Sequence, residues 1–149
     1  MHLALEGLPG TWKKVVRSGC YITHDHDHYE AMQRAALDRR LAELPTFKPA
    51  LELWSYVQSI PDPGRALLTF GKRDCPQDMG MPVPLNVPGK IAKLNDQHAY
   101  LEFPADTPLA VGDRVACGIS HPCTAFDKWR VIPVVDDAYN VLDLYETCF

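Results

Sequence analysis

Several features that would classify a chain at once are scarce or missing here. No CxxC pair occurs, and the five cysteines (Cys20, Cys75, Cys117, Cys123 and Cys148) are odd in number and irregular in spacing. That argues against a disulfide framework and against a four-thiolate zinc site, and it leaves most of the thiols to be free and buried, with Cys123 as the exception. An excess of positive charge is also missing. The formal net charge of -4 offers no footprint for nucleic acid or for an anionic membrane. No apolar run approaches the roughly 18 residues that a membrane span needs. The N-terminal MHLALEGLPGTWKK has a short apolar start, but no basic segment ahead of a long apolar core. The expectation is a cytoplasmic protein with neither nucleic acid nor membrane as partner. Internal repeats and low-complexity tracts are absent too.

What is present is an ordinary globular composition, 46% hydrophobic and 23% charged, in 149 residues, the length of one domain or of one piece of something larger. The chain divides near residue 45. Val15 to Thr23 is rich in β-formers. From Asp27 to Leu44, the residues Ala31, Met32, Ala35, Ala36 and Leu41 recur among charges at helical spacing, with no Gly or Pro until Pro45. Beyond Thr46 the pattern changes to strands and turns. Leu51–Ser59 and Ala66–Phe70 flank the turn signal Pro61-Asp62-Pro63-Gly64, and shorter strands are expected near Ile91–Leu94, Ala99–Phe103 and Arg114–Ile119. A final hairpin joins Lys128–Val135 to Tyr139–Thr147 through Asp136-Asp137-Ala138. Most of the 13 prolines fall in this second part, where they suit edges and barrel corners. The predicted fold is mainly β: an antiparallel barrel or sandwich over 46–149, preceded over 1–45 by one strand-helix unit. A lone unit of that kind needs neighbouring strands, so a partner domain or subunit is expected beside it.

The densest cluster of ligating residues is His24-Asp25-His26-Asp27-His28. In extended backbone the three imidazoles would share one face. The metallo-hydrolase pattern HxHxDH fails here at two positions, because His28 stands where its Asp is needed and Tyr29 where its last His is needed. The favoured reading is a helix start, with the Asp27 carboxylate meeting orphan N–H groups and Glu30 completing a capping-box arrangement. Just upstream, Gly19 would let a ligand approach backbone closely, since no Cβ stands in the way.

A quieter pair makes the better metal argument. His121 and Cys123 stand two apart in GISHPCTAFDKW, so extended backbone would aim both to one side, and imidazole with thiolate is a donor pair that suits zinc. Two protein ligands would leave positions open, as in a catalytic site. Pro122 between them suits a strand end or rim. Spacing alone leaves the alternative of a buried Cys beside a hydrogen-bonded His.

Taken in order, RSGCYITHD (17–25), GKRD (71–74), NDQH (95–98), and GD (112–113) through GISHPC (118–123) resemble the C-terminal part of the D-serine dehydratase and D-threonine aldolase family. SGCYITHDH and GISHPCTAFDKWR are similar in particular to its bacterial amino acid deaminase, or D-serine deaminase-like, members. The resemblance runs over nearly the whole chain.

It implies a pyridoxal 5'-phosphate enzyme of the alanine racemase fold type, in which a TIM-like barrel holds the cofactor and a C-terminal β-domain follows, working as a homodimer when complete. Residues 1–45 would then be the last strand and helix of that barrel, and 46–149 the β-domain with its metal site. By the same resemblance Gly19 and Cys20 would offer backbone N–H groups to the cofactor phosphate, Tyr21 would line the pocket, and His121 and Cys123 would hold zinc. The implied reaction is dehydration and deamination of a β-hydroxy D-amino acid such as D-serine to a keto acid and ammonia. Retro-aldol cleavage, as in D-threonine aldolase, and a non-catalytic metal-binding fragment are the alternatives. No catalytic residue is assigned within the chain. The Schiff-base lysine belongs to the start of the family's barrel domain, and none of Lys13, Lys14, Lys48, Lys72, Lys90, Lys93 or Lys128 stands in a matching segment. Asp27 departs from the family's small residue at that place.

Overall fold

The computed structural model describes residues 15, 19–39 and 46–148. Eight strands follow a short N-terminal arm and helix: α1 (His28–Asp38), β1 (Glu52–Asp62), β2 (Arg65–Leu68), β3 (Val83–Pro84), β4 (Lys90–Leu94), β5 (Ala99–Glu102), β6 (Arg114–Gly118), β7 (Val131–Val135) and β8 (Val141–Glu146). Six of them form one antiparallel sheet in the order β3-β6-β1-β2-β5-β4. The outer strands β3 and β4 approach each other, so the sheet is nearly closed into a barrel.

Strand β1 organises this barrel. Leu53, Ser55 and Val57 point inward and are buried, while Trp54 and Tyr56 alternate outward and are exposed. Its first half pairs with β6 and its second half with β2, and register shifts after Val57 and Ser59 bend it between the two partners. The turn into β2 is closed by Gly64 at φ 79°, where a Cβ would lie 2.8 Å from the Phe103 carbonyl oxygen. The core is drawn from every barrel strand except β3: Leu53, Val57, Ala66, Leu68, Ile91, Leu94, Ala99, Leu101, Val115 and Cys117, joined by Phe70, Cys75, Ile119 and Ala125. The motif residues of GKRD and NDQH meet as packed turns. The Lys72 N–H donates to the Asn95 carbonyl (2.9 Å) and the Arg73 N–H to that of Asp96 (3.1 Å), and Gly71 lies so close that a Cβ there would sit 2.4 Å from the Asn95 oxygen.

The expected strands and both hairpins are present within a residue or a few at each end. Several expectations need correction. Cys20–Ile22 form a 3-10 turn rather than a strand; residues 16–18, the rest of that β-rich stretch, and 40–45, the end of the expected helix and the boundary near 45, lie outside the described residues. Strand β3, within the proline-rich MPVPLNVP, was not anticipated. All five cysteines are free, but only Cys75 and Cys117 are buried; Cys20 is half-buried, and Cys123 and Cys148 are exposed. Helix α1 buries none of its residues, and Met32 is exposed. It is tied down through Gln33, which exchanges hydrogen bonds with both backbone groups of Phe47 (2.6 and 3.2 Å). No helix among the described residues is long and apolar enough to cross a membrane.

Candidate metal centre

The site lies where the N-terminal arm crosses the rim of the barrel. The arm is fastened by two backbone bonds: the Ala50 N–H donates to the Thr23 carbonyl (2.9 Å), and the His26 N–H to that of Ile119 (3.0 Å). Between these, the His26 ring lies against Gly118. A Cβ on Gly118 would stand 2.2 Å from His26 Cγ, so only glycine permits this approach.

The histidine cluster does not form a shared face. His24 sits in the left-handed region at φ 50°, which ends any extended alternation, and its buried Nε2 lies 3.2 Å from Glu30 Oε2. His26 is packed on the rim, and burial lowers its pKa against the pull of Glu52, Asp25 and Glu30, favouring the neutral ring. His28 begins α1. The cap of that helix is Asp25 rather than Asp27. Asp27 makes no side-chain cap bond, whereas Asp25 Oδ1 accepts from the N–H groups of Asp27 (3.0 Å), Tyr29 (2.8 Å) and Glu30 (3.3 Å). Glu30 does not reach back to the backbone. It pairs with Arg34 at 2.8 Å, which with the His24 contact holds its carboxyl below the usual range against partial burial.

On the barrel side, β6 runs into Ile119 and the buried Ser120, whose hydroxyl donates to the Gly80 carbonyl (2.6 Å). His121 follows in extended backbone, and Pro122–Thr124 form a 3-10 turn. The two residues thus reach one site without both being extended. His121 Nδ1 lies 2.5 Å from Asp78 Oδ2, and the Thr124 hydroxyl donates to Asp78 Oδ1 (3.1 Å). Partial desolvation pushes the Asp78 carboxyl upward, but the bonds from His121, its own backbone and Thr124 outweigh it and hold the pKa low. An ionised carboxylate only accepts, so Nδ1 is the nitrogen that donates to Asp78, and in the neutral ring the lone pair lies on Nε2.

The arm supplies a third donor. The Cys20 and Cys123 sulfurs are 2.7 Å apart, and one ligand atom from each of Cys20, His121 and Cys123 lies within 4.8 Å of the others. The hydrogen bond with Cys20, then partial burial, raises the Cys123 thiol to about 11. Tyr29 completes the surroundings, its phenol pushed up chiefly by the charge of Cys20 and then by burial. An imidazole and two thiols, with a carboxylate behind the imidazole, form a soft donor set that fits zinc.

The cofactor-side residues are placed less fully. Gly19 is exposed, with open space where a Cβ would be, and Cys20 begins the 3-10 turn; the Tyr21 side chain is outside the described set. Sequence reasoning missed Asp78 and the thiol of Cys20 as neighbours of His121 and Cys123. Nothing in PQDMG (76–80) marks Asp78, and Cys20 lies 103 positions from Cys123. Asp25 was overlooked as the cap, although its place two residues before Asp27 was a usable signal.

A family model described as "Putative serine dehydratase domain" matches residues 50–135. No curated protein matches the chain. Among solved structures, D-threonine aldolase from Filomicrobium marinum is similar, with a TM-score of 0.65 and 25% identity over 70% of this chain. The matched part spans 29% of that protein's length. The family match covers more than half of the chain, including β1 to β7 and the His121–Cys123 turn, and the chain therefore belongs to the serine dehydratase domain family.

Proposed function

We propose that this chain is the metal-bearing β-domain of a pyridoxal phosphate- and zinc-dependent lyase that removes the β-hydroxyl of D-amino acids such as D-serine, giving keto acid and ammonia. One observation carries the reading: soft, orientable donors converge at the barrel rim beside the arm segment that the family resemblance assigns to the cofactor. When bound, zinc would supply Lewis-acid polarisation of the substrate's hydroxyl, and pyridoxal phosphate an electron sink that acidifies Cα.

The chain's own residues have defined tasks. His121 and Cys123 would hold the ion, Asp78 would hold the imidazole through Nδ1 and leave Nε2 as the nitrogen available to a metal, and Ser120 locks the turn through Gly80. Gly19, exposed and open on the Cβ side, and the half-buried Cys20 after it would offer backbone N–H groups to the phosphate. The base that takes the Cα proton is not assigned to this chain. Its described lysines near partners are engaged elsewhere, Lys90 with Glu102 (3.4 Å), Lys128 with Asp127 (4.0 Å) and Lys93 over the Tyr100 ring (5.5 Å). The domain would work with a cofactor-binding barrel, domain or subunit, in a homodimer.

The likeness to D-threonine aldolase favours a second reading, retro-aldol cleavage, because a polarised β-hydroxyl serves both reactions. Assays of the complete enzyme separate them. Keto acid and ammonia from D-serine, lost on chelation and restored by zinc, support the dehydratase. Aldehyde from D-threonine without keto acid from D-serine assigns the aldolase. Neither product from a zinc- and cofactor-loaded enzyme would refute both and leave a non-catalytic metal-binding module.

A further inference from the structure

We propose that the Cys20 thiolate is a direct ligand of the metal, completing a Cys2His site with a single open position. This rests on the reading that His121 and Cys123 bind a metal, and it goes beyond the family match, since Cys20 lies outside residues 50–135.

Three observations carry it. The first is proximity without a covalent bond: the Cys20 and Cys123 sulfurs face each other at 2.7 Å, both thiols are free, and the imidazole lies within the same 4.8 Å group. Tetrahedral zinc with Zn–S near 2.3 Å sets two sulfurs about 3.8 Å apart, so an entering ion has to separate this pair by only about 1 Å. Cys20 is half-buried and Cys123 exposed, each on a short 3-10 turn, so the two thiols can swing apart by that much while the buried Pro122 beside Cys123 stays in place. The second is that the arm bearing Cys20 is fastened to the same rim, through the His26–Ile119 bond and the Gly118 contact, so the thiol is delivered rather than left to chance. The third is charge. Two thiolates and a neutral imidazole neutralise a divalent ion, whereas His121 and Cys123 alone would leave it net positive.

The consequences are chemical. A second thiolate selects zinc over harder ions such as manganese or magnesium. Three protein ligands leave one corner for an oxygen atom in a four-coordinate site. One residue, Cys20, also ties the segment read as the phosphate cradle to the metal, so that loss of the ion would loosen both.

The test uses the full chain, reduced and metal-free, titrated anaerobically with Co2+. The wild type should take one equivalent, with intense visible bands of a four-coordinate ion and sulfur-to-cobalt absorption in the near ultraviolet. Cys20→Ser should keep one equivalent, lose about half of that sulfur absorption, and bind at least about tenfold more weakly, since even outer-shell partners are worth that much. Cys20→Ala should do the same, with circular dichroism confirming that both variants stay folded. A Cys20→Ser spectrum and affinity equal to wild type would overturn the Cys20 ligand and leave the His121–Cys123 reading standing. No uptake by the wild type, or uptake abolished only by replacing His24, His26 and His28 together, would overturn both.

Discussion

Gly118→Ala is the sharpest single perturbation of this site, because it touches no donor atom. The new methyl would stand 2.2 Å from His26 Cγ, 2.5 Å from Nδ1 and 2.6 Å from Cβ. Carbon atoms rest about 3.5 Å or more apart, so the ring must retreat by more than about 1 Å. Rotating the imidazole does not help, since its own Cβ is among the clashing atoms; the backbone has to lift, and the His26–Ile119 bond, 3.0 Å in length, goes with it. Holding the arm in place would cost about 1–3 kcal/mol of overpacking, whereas releasing it gives up a hydrogen bond worth about 1 kcal/mol. Release is the cheaper outcome. The barrel should therefore lose no more than about 1 kcal/mol in urea unfolding, while Cys20, six residues up the arm, leaves the site. Zinc affinity, measured by competition with a chromophoric chelator, should fall at least about tenfold, to the level of Cys20→Ser. The double variant should be no weaker than Cys20→Ser alone, because both changes remove the same contact. Wild-type zinc affinity in Gly118→Ala, or losses that add in the double variant, would refute the claim that the arm is held there to deliver Cys20.

Asp78→Asn should weaken zinc binding about 10–100-fold through the His121 tautomer, with little change in unfolding midpoint, since Asp78 is half exposed; an unchanged affinity would remove Asp78 from the site. Asp25→Ala should withdraw the acceptor of three N–H groups, costing about 1–2 kcal/mol at the helix start. Because α1 buries nothing, this should appear as faster amide exchange at Tyr29 and Glu30 rather than as a lower barrel melting point. Burial pushes the Cys75 and Cys117 thiols from 9.0 to about 12. The unfolded chain thus loses these protons first as pH rises above about 9, and the folded state binds more protons. Stability should fall between about pH 9 and 12 by roughly 1.4 kcal/mol per pH unit per thiol. Urea unfolding at a series of alkaline pH values should show that slope, reduced by about half in Cys117→Ala, and a flat profile would contradict the burial argument.

The barrel was legible because its signals are local. Leu53, Ser55 and Val57 alternate with Trp54, Glu52 and Tyr56, and Gly64 supplies the positive φ that the first turn requires. Strand β3 escaped because Val83–Pro84 lies among prolines, and its assignment depends on pairing with Gly118 and Cys117 far along the chain. The histidine cluster misled for a related reason. Alternation is informative only if the backbone is extended, and the left-handed turn at His24, closed by the Cys20 carbonyl (2.7 Å), could not be read from five consecutive polar residues. His121 and Cys123 were recognisable as a pair at short spacing. Their partners were not, since Asp78 and Cys20 come from loops that only the folded barrel brings to the rim.

X-ray absorption at the zinc edge of the metal-loaded chain counts the ligands by element and so reads the sulfur content of the site itself. Two sulfurs near 2.3 Å and lighter donors near 2.0 Å are expected, with one sulfur remaining in Cys20→Ser. A shell of nitrogen and oxygen alone would contradict this assignment.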